Sequence, residues 1–534
     1  MAASTAAWEV LIDWGDTGDF SGTYDDVTAD IVGGLHTRDG FGAAYDRTPR
    51  VGDADMTLNN SENNQHGIKG LYSPANSGGP LYGQLLGYKR VKIQATFGAT
   101  LYPIWAGYTA SVTPGEFRKV RVLCIGAYDT YRQSGIAIAP QIDIAVDDLL
   151  RLLVINGPAP WALSRNAELG LAELGTAVMP DVDSVMDFDA AKFVAEYAGD
   201  TWQAGRTMIA DAFQQAATSE WGRLWIDQSG VLHFWNREHE ITDRTSQFTL
   251  DSEMTGLTFK SGISTVVNRC RVVVQPRTVG PANTVVGTNS DKIRIPPGQS
   301  KTITVRFTDN NNGADIGVLD AVTPVAGVDF FPTSRRRGKG YDMSPFIDCS
   351  MVLKGGEAEL TFTHIGNKRV KVAHGNVRAT INTVQIRGRP LYRYDSVEAV
   401  AQDEASYLQY FWRDKRITLP LANDADFAQE LADQQVYQFK AEQAIITQVR
   451  LVNASATLYA AMLGLGVMDL ITITEPDSGI TAQQYRIYSV EHTVAGADHE
   501  TVWGVEPRLY NDQVAIADTV GFAELGSNAY LAPF

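Results

Sequence analysis

Cysteine is scarce in this 534-residue sequence, which contains Cys124, Cys270 and Cys349 and no others. They are far apart, odd in number and in no metal-ligand spacing, so free and mostly buried thiols are predicted rather than disulfides. The N-terminal stretch MAASTAAWEV lacks a cationic region followed by an apolar one, so no secretory signal is expected. No apolar run approaches the ~18–20 residues of a membrane span. These absences predict a chain that is made and folds in a cytoplasm.

Catalytic motifs are also lacking. The sequence has no G-x-S-x-G, H-E-x-x-H or G-x-x-x-x-G-K-[ST] motif. His492 and His499 flank a predicted loop that fixes no metal geometry, so we interpret them as solvated loop residues. Some carboxylate pair suited to glycoside hydrolysis is inevitable among 62 acidic residues, but sequence does not show which acids meet in space. We therefore predict a protein that is not an enzyme.

Charge is distributed unevenly along the chain. Residues 260–395 contain 20 Lys and Arg against 10 Asp and Glu, a charge of +10. The remainder has 25 against 52, or −27, which gives the formal net charge of −17. An acidic chain is not expected to bind nucleic-acid phosphates over its whole surface. The basic stretch is predicted to be a module with its own surface.

The sharpest basic cluster in that module is the run Arg335, Arg336 and Arg337. Guanidinium groups in such a run can hold a phosphate or an acidic partner through bidentate contacts. A solvated loop is the competing interpretation, and the residues leave this choice open.

Acidic residues are concentrated in LIDWGDTGDFSGTYDDVT, residues 11–28. Asp13, Asp16 and Asp19 recur at every third position, and the intervening Gly15 and Gly18 favour tight turns. Hard oxygen ligands on a glycine-rich loop suit Ca²⁺, although the EF-hand spacing is not met. The two interpretations are a Ca²⁺ site formed by these three aspartates and a solvated turn.

Short segments rich in Val, Ile, Tyr, Phe and Trp, separated by Gly, Pro and Asn clusters, predict a mainly-β chain. Two helices are expected. The first aligns Ile209, Ala212, Phe213 and Ala216 and stops at Gly222. The hairpin RLWIDQSGVLHFWNRE should follow it, with a turn at Asp227–Gly230. The second helix lies in DFAQELADQQVYQFK.

That second helix is predicted to begin with Asp426 at its N-cap and Gln429 at its third position. Its apolar face comprises Ala428, Leu431, Ala432, Val436 and Phe439.

Several motifs, taken in order, resemble one known family. WEVLIDWGDTGDFSGTYDDVTADIV, LNNSENNQHGIKGLYSPANSGGPLYGQLLGYKRVKIQATFG and YPIWAGYTASV are similar to the N-terminal region of siphophage minor tail proteins. GRLWIDQSGVLHFWNRE, TVVNRCRVVVQPR, VQIRGRPLYRYD, DEASYLQYFWRDKRITLP and YRIYSVEHTVAGADHETVWGVEPR follow in the order expected of a tail-tip hub protein. This family is similar to the central baseplate hub of contractile-tailed phages.

The resemblance implies a mainly-β, multi-domain chain with two hub-type β-barrel domains, a small α+β segment and an inserted β-sandwich. The expected segments are an N-terminal barrel (1–147), an α+β helix-hairpin domain (148–278), the inserted basic β-sandwich (279–394), a completing α+β segment (395–454) and a C-terminal barrel with its tail (455–534). A weak echo between YPIWAGYTASVTPGEFRKVRVLCIGAYD and YRIYSVEHTVAGADHETVWGVEPR fits paired barrels.

The family also implies a homotrimeric ring at the virion tail tip, assembled in the host cytoplasm. Its expected partners are the distal tail ring protein, the tape measure protein and tail fibre or receptor-binding proteins, and DNA would pass through the channel without specific binding. Two alternatives stay open, namely a receptor- or glycan-binding module in the inserted sandwich and a hexameric distal tail ring protein. The segment SYLQYFWR departs from the family pattern. It has Phe411 and Trp412 at the place of the glycine that is expected in a Tyr-Gly pair.

Overall fold

The computed structural model describes residues 5–136, 138–158, 160–161, 185–203, 206–251, 253–309, 312–335, 340–366 and 377–508. Strands dominate these ranges, which confirms the expectation of a mainly-β, multi-domain fold. Within them, no helix is long and apolar enough to cross a membrane. The three cysteines are free, as predicted, and Cys124 and Cys270 are buried.

The N-terminal part forms a six-stranded antiparallel arrangement in the order β1–β4–β5–β6–β3–β2. Its strands are β1 (Ala7–Ile12), β2 (Ile31–Gly40), β3 (Asp53–Asn59), β4 (Arg90–Phe97), β5 (Thr100–Pro114) and β6 (Lys119–Gly126). Alternate residues of β3 are buried, namely Ala54, Met56 and Leu58. This period of two places one face of the strand on a core and the other towards solvent.

A mixed helical and hairpin unit follows. Its elements are α1 (Asp129–Gln133), β7 (Gln141–Ala145), α2 (Val146–Ile155), β8 (Met186–Phe188), β9 (Val194–Ala198), α3 (Ile209–Glu220), β10 (Arg223–Ile226), β11 (Leu232–Trp235) and α4 (His239–Thr242). The apolar face predicted for α3 is buried in the core of this unit. The β10–β11 hairpin turns where expected, because Gly230 donates its N–H to the Asp227 carbonyl at 3.0 Å.

Next come β12 (Phe248–Leu250), β13 (Gly256–Lys260) and β14 (Arg269–Val274). The inserted module then provides β15 (Arg277–Val279), β16 (Thr284–Asn289), β17 (Ile293–Ile295), β18 (Ser300–Arg306), β19 (Gly317–Val322), β20 (Ile347–Lys354), β21 (Glu357–His364), β22 (Ala379–Ile381) and β23 (Val384–Arg393). Its two larger sheets, β15–β23–β16 with β19 and β18–β21–β20, share a core of their own that includes Phe307, Leu360 and Phe362.

The chain then returns through β24 (Val397–Gln402), α5 (Glu404–Tyr410), β25 (Asp414–Leu419) and α6 (Ala425–Phe439). Strands β24, β14 and β25 form one sheet, and the apolar face of α6 packs on it. The N-cap prediction for α6 was wrong by two residues. Asp424 is the N-cap and accepts the N–H of Asp426, because its backbone is still extended where that of Asp426 is already helical.

The C-terminal elements are β26 (Ile445–Val452), α7 (Ala456–Gly464), β27 (Leu470–Glu475), β28 (Ile480–Ala495) and β29 (Asp498–Pro507). They do not close into a sheet of their own. Strand β2 pairs antiparallel with β28 from Leu35↔Val494 to Gly40↔Ser489. The result is a 12-stranded sheet whose main path runs β1–β4–β5–β6–β3–β2–β28–β29–β26–β13, with β27 and β12 on a side branch.

This pairing joins the two halves that were expected to form barrels in one hydrogen-bonded sheet, and their assignment as barrels stays a prediction. Both halves of the sheet contribute to one continuous apolar cluster, in which Trp105 of β5 and Trp503 of β29 are fully buried. Strand β26 also belongs to this sheet, although the predicted boundaries assign it to the segment 395–454. We call the β2–β28 pair the seam. The boundaries of the five segments stay predictions.

We expect a substitution in the shared core to lower the protection of backbone amides against hydrogen exchange in both halves of the sheet. Trp503→Ala should cost ~3–5 kcal/mol, because the shared core cannot fill the space left by the indole. Hydrogen exchange measured by mass spectrometry should then accelerate in peptides from β4 and β5 as well as in those from β28 and β29.

The matched control is Phe362→Ala, which removes an equally buried ring from the separate core of the inserted module. Faster exchange there should stay within residues 284–393. Independent halves would be indicated if Trp503→Ala left β4 and β5 unchanged.

Candidate functional site

The acidic loop after β1 is held by its own carboxylates. Asp13 is fully buried, and its carboxylate accepts the N–H groups of Thr17 at 2.8 Å and Gly18 at 2.7 Å. Asp16 pairs with the Lys89 ammonium at 2.5 Å, and Asp19 accepts from the Ser21 hydroxyl at 2.7 Å. The three predicted calcium ligands therefore point to different partners.

Elsewhere in the same loop, Asp25 accepts the N–H groups of Trp14 at 3.1 Å and Gly22 at 2.9 Å. Burial raises the pKa of Asp25, and these two hydrogen bonds counter that effect. Across the described ranges, no three His, Cys, Asp or Glu side chains are grouped as a metal site. Calcium binding at Asp13, Asp16 and Asp19 stays a prediction, and a cation would have to displace the contacts that now shape the turn.

The segment between β2 and β3, residues 41–52, connects three parts of the molecule. We call it the seam loop. Tyr45 donates its N–H to the Glu506 carboxylate of β29 at 2.5 Å. The Arg47 carbonyl accepts the N–H of Leu224 in β10 at 2.9 Å, and the Phe41 N–H reaches the Tyr488 carbonyl in β28 at 2.8 Å. The loop thus fixes the helical unit against the seam.

Four buried charges meet at this loop. Arg223 is fully buried and forms ion pairs with Glu240 and with Glu506. Arg47 pairs with the other Glu240 oxygen at 2.9 Å, and its guanidinium lies 4.0 Å from the ring centre of Trp221. Two cations and two anions balance, which is the condition under which charges are tolerated in a protein interior. We call this set the Arg223 cluster.

Protonation in the Arg223 cluster follows from its geometry. Burial alone would raise the pKa of Glu240, but the charges of Arg223, Arg47 and Arg486 outweigh it and lower that pKa. Arg486 also donates to the Glu240 carbonyl at 3.1 Å and pairs with Asp243 at 3.1 Å. The Glu240 carboxylate therefore stays ionised, whereas burial raises the pKa of Glu506 despite the neighbouring charge of Arg223.

The sequence did not reveal the Arg223 cluster. A faint signal exists in hindsight, since Arg223 begins the apolar run RLWI and Glu506 interrupts VWGVEP, and both runs are buried in the structure. Which charges face one another was not readable, because Arg47, Arg223, Glu240 and Glu506 are up to several hundred residues apart.

The interpretation of His492 and His499 as solvated loop residues was wrong. Both are buried in the β28–β29 hairpin, and their rings contact through Nδ1 of His492 and Nε2 of His499 at 3.0 Å. Thr501 places its hydroxyl 3.0 Å from His492 Nδ1, and the Trp8 ring of β1 lies edge-on to His499 at 5.2 Å. The pair thus joins the last hairpin to the first strand.

A third histidine is arranged differently. His233 lies between Asp187 at 3.1 Å and Asp227 at 3.2 Å. Burial alone would lower its pKa, but the hydrogen bonds and charges of these carboxylates outweigh that effect and raise it. The two carboxylate partners of His233 therefore stabilise its protonated form.

The basic run of the inserted module falls mostly outside the described residues. Arg335 is described, whereas Arg336 and Arg337 are not. The choice between an anion-binding and a solvated loop stays open there.

Comparison with known proteins gives structural neighbours only. No protein-family model matches the chain, and no curated protein has a similar sequence. The solved structures that it resembles are tail proteins and related secretion-system components. The 43 kDa tail protein of prophage MuSo2 from Shewanella oneidensis is 8% identical with a TM-score of 0.45, covering 94% of this chain and 99% of that one.

Two further structures have comparable coverage. A tail protein from Neisseria meningitidis MC58 is 6% identical with a TM-score of 0.46, covering 95% of this chain and 100% of its own. The E. coli c3393 protein, a type VI secretion system component with structural similarity to T4 tail proteins gp27 and gp5, is 9% identical with a TM-score of 0.34. The aligned region covers 90% of this chain and 74% of the c3393 chain.

Removing the central cation of the Arg223 cluster should be costly. In Arg223→Met, Glu240 and Glu506 lose their shared partner in a buried site, so we expect a loss of ~3–5 kcal/mol in the free energy of unfolding. Equilibrium urea denaturation would measure it. Arg121→Gln is the matched control, since Arg121 pairs with Asp55 on the surface and such pairs contribute less than ~1 kcal/mol. Equal losses in both variants would contradict a structural role for the cluster.

Acidification should loosen the β28–β29 hairpin. Burial lowers the pKa of His499 to about 4 and that of His492 well below its usual value. Between pH 6.5 and 4 the unfolded chain binds a proton at His499 that the folded chain does not. Stability should therefore fall as the pH is lowered through this window, by ~3 kcal/mol for this group.

In the variant His499→Gln, stability should fall less steeply as the pH is lowered. Denaturation midpoints measured from pH 7 to 4 would show this smaller acid-dependent loss. His233→Gln is the control, because the pKa of His233 is raised and its contribution is lost only as the pH rises above ~6.5. If His499→Gln and the unmodified chain lose stability equally steeply at acid pH, other groups cause the loss.

Proposed function

We propose that this chain is a structural, non-enzymatic component of a phage tail tip. In this proposal three copies form a hub ring that closes the distal end of the tail tube. The ring's channel lets the tape measure protein and then DNA pass, and its outer surface is a platform for receptor-binding parts. Its partners are a distal tail ring protein, the tape measure protein and tail fibre or receptor-binding proteins.

The observation that carries the proposal is the pair of half-sheets joined at the seam. Each half contains a long antiparallel hairpin, β5–β6 in one and β28–β29 in the other, and these hairpins contain the two segments of the weak sequence echo. A chain with two related β units side by side supports a trimeric ring that presents six such units. The order of family-like motifs along the sequence supports the same conclusion.

The charges on the outer face of the sheet support a channel that does not retain DNA. Arg38 pairs with Asp53, Arg121 with Asp55, and Arg450 with Glu500. These three cations therefore each have a neighbouring carboxylate, which reduces the positive charge that this part of the face offers to phosphates.

A second candidate function is recognition of a receptor or glycan by the inserted module, and one observation favours it. Phe330 is buried in the module's core, whereas the adjacent Phe331 is 62% exposed. Val325 and Val328 in the same loop are also exposed. Exposed apolar side chains at a loop are typical of binding surfaces when they cluster.

The ring predicts a definite mass. Three chains of 58.2 kDa give about 175 kDa, to be measured by light scattering and sedimentation together with negative-stain class averages. A trimer that dissociates in chelator would support a Ca²⁺ lock at Asp13, Asp16 and Asp19, and a hexamer would indicate the distal tail ring protein. A stable monomer would contradict the hub proposal.

The binding alternative is tested in the same preparations by attachment to host cell envelopes. Phe331→Ser would abolish attachment if the module recognises a receptor, whereas Val352→Ser, an exposed apolar residue of the same module on β20, would not. Equal attachment by both variants would contradict recognition through the Phe331 loop.

A further inference from the structure

A cleft lies over the seam, on the face of the sheet that points away from the shared core. On β2 the inward residues are Leu35 and Thr37, so Arg38 points outward. The cleft measures about 270 Å³, and its lining includes Arg38, Phe41, Arg50, Gln448, Tyr488 and Glu491. It thus contains residues from both halves of the sheet and from the seam loop.

The floor of the cleft is aromatic and firmly placed. Phe41 is buried, and its N–H is bonded to the Tyr488 carbonyl. Gly504 of β29 leaves space for the Tyr488 ring, since a Cβ atom there would lie 2.7 Å from that ring. Beneath the floor, the Arg223 guanidinium lies 5.3 Å from the ring centre of Phe41. The floor of the cleft therefore contacts the Arg223 cluster through Phe41.

Arg50 has fewer partners than the other charged groups at the cleft. Its Nε and one terminal nitrogen are buried without a hydrogen-bond acceptor, and its nearest carboxylate, Asp53, is 4.0 Å away. Asp53 is already bonded to Arg38 at 3.1 Å, and Glu491 is bonded to His36 at 3.1 Å. Buried donors without acceptors are unfavourable, so an acceptor from outside the chain would stabilise this arrangement.

The position of Arg50 is fixed before any ligand arrives. Its backbone N–H donates to the Gly40 carbonyl at 3.1 Å, which closes the seam loop at its base. The same loop is anchored by Arg47 in the Arg223 cluster. Because the backbone of Arg50 is already ordered, binding has to order only its side chain.

We propose that this cleft binds a carboxylate group through the Arg50 guanidinium, with Arg38 beside it. The planar fork of a guanidinium matches the two oxygens of a carboxylate. The volume suits a small acid or a single acidic side chain rather than a large ligand. Arg38 and Arg50 are balanced by Asp53 and Glu491, so binding depends on direct contact with Arg50 more than on a wide positive field. The inference does not depend on the proposed function.

Two sources could supply the carboxylate, namely a free small acid and an Asp or Glu side chain of a second copy of this chain. Malonate is the probe for both. It would be titrated into the full-length protein by calorimetry, with sodium chloride at matched ionic strength as the blank. We expect saturable binding and a raised melting temperature, because the ligand would connect the two sides of the seam.

Arg50→Gln should weaken malonate binding at least tenfold, and Arg50→Lys should weaken it several-fold because the fork is lost. Arg450→Gln is the matched control, since Arg450 lies on the same sheet face, pairs with Glu500 and does not line the cleft. Arg50→Gln should melt close to the unmodified protein without ligand, because its ion pair is long and one-quarter exposed.

Sedimentation distinguishes the sources. If a second copy supplies the carboxylate, malonate and Arg50→Gln should both shift the protein towards monomers. If a free acid does, malonate should bind without changing the oligomeric state. The proposal is overturned if malonate gives no saturable heat and Arg50→Gln sediments like the unmodified protein. It is also overturned if Arg50→Gln binds malonate as tightly as Arg450→Gln does.

Discussion

The ion pairs of Arg223 with Glu240 and Glu506 hold the parts of this molecule in one arrangement. Arg223 starts a hairpin of the helical unit, Glu506 lies in the last strand of the sheet, and Arg47 reaches Glu240 from the seam loop. Removing charges from water is expensive, and attraction between them offsets that cost only at close range with balanced signs. Any displacement of the helical unit relative to the seam would separate these charges in a dry environment. The cluster therefore specifies how the units sit as well as contributing to stability.

A second, smaller set of buried ion pairs connects the inserted module to the rest of the chain. Asp200 is buried and accepts from Arg277 at 3.0 Å and Arg393 at 2.9 Å, the two ends of the insertion. The module also has its own core, which is separate from the shared core of the 12-stranded sheet.

Local features were predictable where local physics decides them. The hairpin turn at Asp227 and the buried face of α3 follow from period and turn chemistry, and the structure confirms both. Phe411 shows the limit of that approach. Its φ of 55° lies in a region that favours glycine, yet this chain has a Phe there. Asn268 fixes the strained turn by donating to the Phe411 carbonyl at 2.8 Å, a contact across 143 residues.

The sequence by itself determined a mainly-β chain, its free thiols, its two longest helices and the separate basic module, because composition and periodicity act over neighbouring residues. Only the tertiary structure decided that β2 pairs with β28, which joins the two halves in one sheet, and that His492 and His499 are buried. It alone also assembled the Arg223 cluster and left Arg50 in the seam cleft without an acceptor. Each of these depends on residues hundreds of positions apart, and a strand's sequence states which face is apolar without naming the strand that will pair with it.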